Sequence, residues 1–230
     1  LRANLSSDAD IQTLDQYTGE VYCARGLAYA ELIKCFCDAY DKNKADQQLG
    51  VVLRTSYFKE QPVERASLKA SYDRAIKDLE KAEEMLDERY NTYDSPYFTK
   101  AAAQAVRARV ALYMGEWQNA ANYATKVIDS KKFTMWTAEE YPTVWGKELG
   151  SGEIIFEVYG KRTNSAYGSW DDLSYLTSPE GSGDPQAAQP LIDLYAEGDV
   201  RLKTYRTDAN KESGILWTAK YPGKGDNAAR

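Results

Sequence analysis

Three aromatic residues, Tyr167, Trp170 and Tyr175, fall close together in one irregular stretch, interleaved with Asn164, Asp171 and Asp172. An aromatic ring offers a flat apolar platform at little entropic cost, and polar groups beside it fix a ligand's orientation. Stacking of nucleic-acid bases on such rings contributes roughly 1–3 kcal/mol each. A ligand with a thinner apolar face gains no more, so useful affinity requires several platforms. Tyr167, Trp170 and Tyr175 are therefore expected as platforms. Asn164 and Asp171 or Asp172 are expected as partners for adjacent hydroxyl groups. The competing reading is that these rings pack the loop onto the rest of the chain.

Bond-making chemistry has fewer candidates. The 230 residues include no histidine, which removes Ser-His and Cys-His nucleophiles, histidine metal ligation and the usual pH switch. Glu153 and Glu157 share a strand face, but four residues of strand separate them by about 13 Å. A retaining glycosidase needs its carboxyl groups about 5–5.5 Å apart and an inverting one about 6.5–9.5 Å. Asp171 and Asp172 are adjacent and diverge in extended chain, which leaves only a pair drawn from distant segments. No glycine-rich phosphate loop precedes a helix. Asp171, Asp172 and Asp184 lack the spacing of a calcium loop, and the glycines of 181–183 read as loop flexibility. Cys23, Cys35 and Cys37 read as small buried apolar residues on or beside one helix, too poorly convergent for a metal site. No catalytic residue, metal or cofactor is expected.

Composition narrows the partners. The net charge is −6 without a concentrated basic patch, so no nucleic acid is expected. No apolar run approaches the length of a membrane span. The aromatic set is lopsided, with 18 Tyr and 5 Trp against 5 Phe, and the residues with a polar handle suit wet interfaces.

Helices must carry these side chains. Residues 10–40 show apolar positions at Leu14, Tyr17, Val21, Ala24, Ala28, Leu32 and Phe36, the period of a helix whose stripe should face the core. Residues 50–55 read as an extended connector or edge strand. A second helix is expected over 67–88, capped by Ser67, with Leu68, Tyr72, Ile76, Leu79, Ala82 and Leu86 on one face. Over 99–128 two helices meet at Gly115. Ala108, Ala120 and Val127 occupy the small positions of a tetratricopeptide hairpin, and Trp117 is expected to wedge into the core. Gln104 and Arg107 replace that motif's Trp and Leu. A single hairpin cannot bury its own face, so the preceding helices must stack beside it. Beyond residue 130 the helical period is lost. Ile154 to Tyr159 reads as a strand, 160–190 as a long loop and 190–195 as a short helix. Trp136, Tyr141 and Trp145 read as packing residues; Trp217 and Tyr221 give no pattern to read.

Five blocks in this order resemble the SusD/RagB family of outer-membrane nutrient-binding lipoproteins. They are ARGLAYAELIKCF (24–36), RASLKASYDRAIKDLEKAEEML (65–86), KAAAQAVRARVALYMGEWQNAANYATKVI (100–128), SGEIIFEVYG (151–160) and PLIDLYAEGDVRLKTY (190–205). The resemblance implies a mainly α, SusD-like fold. Tetratricopeptide-like hairpins would occupy 1–130, and a loop-rich ligand-binding region with a short strand, 131–230, would pack on them. It implies non-catalytic capture of an oligosaccharide or polysaccharide, in some members a peptide, for a TonB-dependent, SusC-like transporter. The surface location would be the outer membrane, through a lipid anchor that this sequence does not carry. The sequence also lacks the family's additional N-terminal chain and later repeat helices, so it reads as an internal or truncated portion. The alternative is a peptide- or protein-binding tetratricopeptide scaffold.

Overall fold

Ser7 opens the first helix: its hydroxyl accepts from the backbone N–H of Asp10 at 3.1 Å, while Asp8 and Asp10 place negative charge on the exposed N–H groups of the first turn. Helix α1 runs Asp8–Phe36 and ends where Cys37 turns extended. The computed structural model describes residues 7–57, 64–145, 152–158, 173–179, 181–207 and 214–221. They fall into two units, Leu1–Phe133 and Thr134–Arg230.

In the first unit, α1 leads through β1 (Leu49–Val52) and β2 (Arg65–Ser67), an antiparallel pair, into α2 (Leu68–Met85). Helices α3 (Lys100–Tyr113) and α4 (Trp117–Asp129) follow, and each helix packs on the next. Ser67 caps α2 through the Ala70 N–H, and Thr99 caps α3 through the Ala102 N–H. Gly115, with φ +72°, supplies the left-handed residue that turns α3 into α4. The expected α2 stripe forms: Leu68, Tyr72, Leu79, Ala82 and Leu86 are buried, and Ile76 packs against them.

Helix α1 corrects its expectation. Its buried face is Gly19, Cys23, Gly26, Tyr29, Ala30 and Ile33. Tyr17, Val21, Ala24, Ala28, Leu32 and Phe36 are exposed, and Leu14 is half-buried. The reason is the closeness of α2. A Cβ on Gly26 would stand 2.8 Å from Leu79 Cγ, and one on Gly19 2.8 Å from Leu86 Cγ. Only the side of α1 lined by glycine and small residues can approach that far. Apolar residues thus occupy both sides of α1, and periodicity selected the bulkier one. The thiols divide accordingly: Cys23 is buried, Cys37 half-buried and Cys35 exposed.

Two polar clusters lock the stack. Asp78 of α2 has no exposed surface and takes Arg25 of α1 and Arg74 of its own helix. Glu83 of α2 accepts from Gln104 and Arg107 of α3 and from Lys126 of α4. The Arg107 guanidinium also lies 4.0 Å from the Tyr123 ring centroid. The two residues that depart from the repeat motif therefore replace an apolar contact with a charged one. Trp117 departs from expectation: it is 68% exposed, because among the described residues no further helical hairpin stacks on α4 to form the wedge.

The second unit contains short elements: α5 (Tyr141–Val144), α6 (Leu173–Thr177), α7 (Gln189–Ile192), a 3₁₀ turn at Val200–Thr204, and the antiparallel pair β3 (Tyr205–Arg206) and β4 (Trp217–Thr218). Residues 154–158 form no strand; the unit's strand pairing lies instead between β3 and β4. Proline near the start of α5 and α7 fits the first helical turn, where an N–H has no partner to lose. Among the described residues no helix is long and apolar enough to cross a membrane.

Candidate ligand-binding groove

The second unit builds one wall around Trp217. Its indole is 3% exposed, and its Nε1–H donates to the Gly183 carbonyl at 2.9 Å. Gly183 adopts φ +64° and sits so tightly that a Cβ would lie 3.2 Å from Pro179 Cα and 3.4 Å from Trp217 Nε1. A Cβ on Gly181 would collide with the Tyr175 carbonyl oxygen. These glycines are required by close approach and backbone conformation, which corrects their reading as flexible loop. The backbone N–H of Ser182 donates to that Tyr175 carbonyl, Gly181 N–H to Ser178, and Ala187 N–H to Leu216, each at 2.8 or 2.9 Å. Arg206, opposite Trp217 in the β3–β4 pair, donates to the Ser178 hydroxyl at 2.9 Å.

The result is an open groove of about 350 Å³ lined by Pro179, Ser182, Gly183, Asp184, Gln186, Ile215 and Trp217. Its lining combines apolar Pro179, Ile215 and Trp217 with a hydroxyl, a carboxylate and an amide. The Ser182 hydroxyl donates to the Asp184 carboxylate, which orients both. Such a surface suits a polyhydroxylated ligand with a partly apolar face. Trp217, buried and committed to Gly183, acts here as a wall rather than a stacking platform.

A second aromatic group lies elsewhere in the same unit. Trp136, Tyr141 and Trp145 contact one another with ring centroids 5.7–6.5 Å apart, and Lys220 lies 4.6 Å from the Trp145 centroid. All three rings are half-buried, as residues that pack on one another should be. Tyr195 and Tyr205 share a hydroxyl contact at 3.1 Å, which with burial pushes the Tyr205 phenol up to about 12. Asp199 accepts from the Arg201 guanidinium and backbone N–H, which hold its carboxyl down to about 2, and the guanidinium lies 4.8 Å from the Tyr195 centroid. The Asp-x-Arg segment is thus a local brace closing a 3₁₀ turn.

Of the residues expected at the site, Tyr175 lies on α6, half-buried, and its carbonyl braces the groove-forming loop. Asn164, Tyr167, Trp170, Asp171 and Asp172 lie outside the described residues. The groove itself was missed. The closely spaced Gly181 and Gly183 beside Asp184 were its signal, and the contribution of Ile215 and Trp217 comes from a strand too short to show a period.

Comparison with known proteins follows the same lines. The profile of a SusD-like family, described as starch-binding associating with outer membrane, matches residues 3–112. The SusD-like protein P38 of Formosa agariphila is 28% identical over 228 residues, 96% of this chain and 42% of that protein. A candidate sugar-binding protein from Bacteroides vulgatus superposes with TM-score 0.81 at 27% identity, covering 99% of this chain and 52% of its own. A SusD superfamily protein from the same organism gives TM-score 0.80 at 25% identity, covering 98% and 51%. The chain spans about half the length of these relatives, or somewhat less. The helical stack, the profile match over residues 3–112 and two full-chain superpositions agree in likening this chain to the SusD-like family.

Proposed function

We propose that this chain belongs to a non-catalytic binding protein that captures an oligosaccharide or polysaccharide at the cell surface and passes it to a TonB-dependent, SusC-like outer-membrane transporter. The groove at 179–186 and 215–217 carries this reading. It places apolar side chains beside hydroxyl, carboxylate and amide groups, the chemistry that recognises a sugar ring by its C–H face and its hydroxyls together. The matched family's description as starch-binding, associating with outer membrane, supports the ligand class and an outer-membrane location. Asn164, Tyr167, Trp170, Asp171 and Asp172, which lie outside the described residues, are kept as candidate stacking platforms and hydroxyl partners on the strength of the sequence. The contact with the transporter is assigned to the solvated faces around residues 67–88 and 117–130. Exposed Trp117 and Ile128 on α4 support that assignment. Calorimetry against a panel of oligosaccharides tests the reading. Saturable binding with no released product is expected, weakened by Trp170→Ala; no binding across the panel, or product release, would overturn it.

A further inference from the structure

The connection between α2 and α3 displays aromatic rings that the groove does not use. Residues 86–99 are held from beneath. The Asp87 N–H donates to Gln16 of α1 at 3.3 Å, and the Asp87 carboxylate caps the short 3₁₀ turn Glu88–Tyr90 through the Arg89 N–H. Asn91 Oδ1 accepts from the Ala101 N–H at 3.0 Å, at the start of α3. Buried Ser95 donates to the Tyr97 carbonyl and accepts from the Tyr97 N–H, across Pro96, whose ring fixes its own φ. Phe98 packs against the core, and buried Thr99 caps α3.

Inward positions thus go to Leu86, Ser95, Phe98 and Thr99, and all three tyrosines of the connection turn outward. Tyr90, Tyr93 and Tyr97 are 56%, 51% and 64% exposed. Among the described residues, none of their rings stacks on another ring or a cation, and none of their hydroxyls has a hydrogen-bond partner. Tyrosines kept for packing show such contacts, as Tyr40 and Tyr72 do with centroids 5.1 Å apart. A tyrosine has few side-chain torsions, so a pinned loop presents its ring with little entropy left to lose on contact. Chain length limits the spacing: Tyr90 and Tyr93 Cα atoms are at most about 11 Å apart, and those of Tyr93 and Tyr97 at most about 14 Å. One strand of a polymer is long enough to cross all three.

Charge selects the ligand class. Arg89 is paired with Asp87 at 2.6 Å and Lys100 with Glu88 at 3.7 Å, so neither cation beside the rings is left to attract an acidic group. A protein partner is steered by complementary charge. A neutral glycan presents only C–H faces and hydroxyls, which tyrosine rings and their hydroxyls can meet.

We propose that Tyr90, Tyr93 and Tyr97 form a second glycan-contact surface on the helical unit, additional to the groove and selective for a neutral polysaccharide long enough to cross all three rings. It rests on the glycan-capture reading and extends it from a short piece, which a groove of about 350 Å³ can hold, to the polymer. Each ring alone is a weak platform, so a short oligosaccharide gains little there and a long chain gains most.

The test uses the full-length gene product and its Tyr90→Ala, Tyr93→Ala, Tyr97→Ala variant. Affinity electrophoresis in gels containing soluble starch, laminarin or galactomannan reads polymer binding. Calorimetry with maltotriose, laminaritriose or mannotriose reads the short site. The variant should lose at least about tenfold in polymer affinity and keep trisaccharide affinity within about twofold, as when a multi-point contact is removed from one of two sites. Equal polymer affinity in variant and parent would overturn the proposal and leave the rings to a protein partner. Equal losses for polymer and trisaccharide would also overturn it, by making the loop part of a single site. A parent that binds none of these glycans would overturn the glycan-capture reading, and this proposal with it. Tm should stay within about 2 °C, because all three side chains are solvated. A fall of several degrees would count against the proposal, by showing that other parts of the polypeptide cover the rings.

Discussion

Arg25 of α1 meets Asp78 of α2 through two hydrogen bonds, Nε at 2.6 Å and Nη2 at 2.8 Å, on a carboxylate with no exposed surface. Arg74 adds a third at 2.5 Å. A buried carboxylate is tolerated only when charged donors satisfy it, so this pairing fixes the register of α1 on α2 as well as joining them. Asp78→Ala leaves two guanidinium groups without their anion and should destabilise the unit by about 3 kcal/mol in urea unfolding. A loss under about 0.5 kcal/mol would show the pair to be incidental.

The same contact depends on the glycines beside it. Gly26→Val adds a branched side chain where a Cβ already stands 2.8 Å from Leu79 Cγ and 3.1 Å from the Ala75 carbonyl oxygen. The backbone neighbour cannot swing aside, so a loss of about 2 kcal/mol is expected on thermal or urea unfolding. Stability equal to the parent would mean that the helices separate without cost.

Acid should weaken the helical stack through Glu83. Burial pushes its carboxyl upward, but hydrogen bonds from Gln104, Lys126 and Arg107 outweigh this and hold it below the usual range. A depressed folded value means that the stabilisation is complete above the ordinary glutamate pKa and is lost as pH falls through the folded one. Tm should therefore fall more steeply from about pH 5 to about pH 3 in the parent than in Glu83→Gln. Parallel curves would remove Glu83 as a contributor.

Much of the helical unit was legible in sequence, and the reasons are local. Ser67, Thr99 and Gly115 are placed by capping and turn chemistry, and α2 has a single apolar face, so its stripe could be read directly. Helix α1 misled because it has two apolar faces, and the packed one sets Gly19, Cys23, Gly26 and Ala30 beside only two large residues, Tyr29 and Ile33, so the bulkier outer stripe dominates the pattern. Trp117 misled because a wedge needs a neighbour that a repeat motif does not guarantee. The 154–159 segment had strand composition, but residues 154–158 have no strand partner. The groove depends on Gly183, Asp184 and Trp217, which are brought together by the Trp217 indole bond to Gly183 and the Ala187–Leu216 backbone hydrogen bond, across some thirty residues, and leave no periodic trace.

The groove wall can be tested through its anchor. Trp217→Phe removes the indole N–H and leaves the Gly183 carbonyl without its buried donor. A loss of about 1–2 kcal/mol is expected for such an orphaned group. Ligand affinity should fall with it as the 178–183 turn loosens. Full stability and affinity in this variant would show that the turn is held by other contacts.

The most direct test of glycan capture is a calorimetric titration of starch-derived and other neutral oligosaccharides into the full-length gene product and its Asp184→Ala, Gln186→Ala double variant. Both side chains are exposed on the groove rim, so the substitutions should leave Tm unchanged. Capture in this groove predicts saturable binding by the parent and at least a tenfold loss of affinity in the variant. Equal affinity in the two proteins would contradict it.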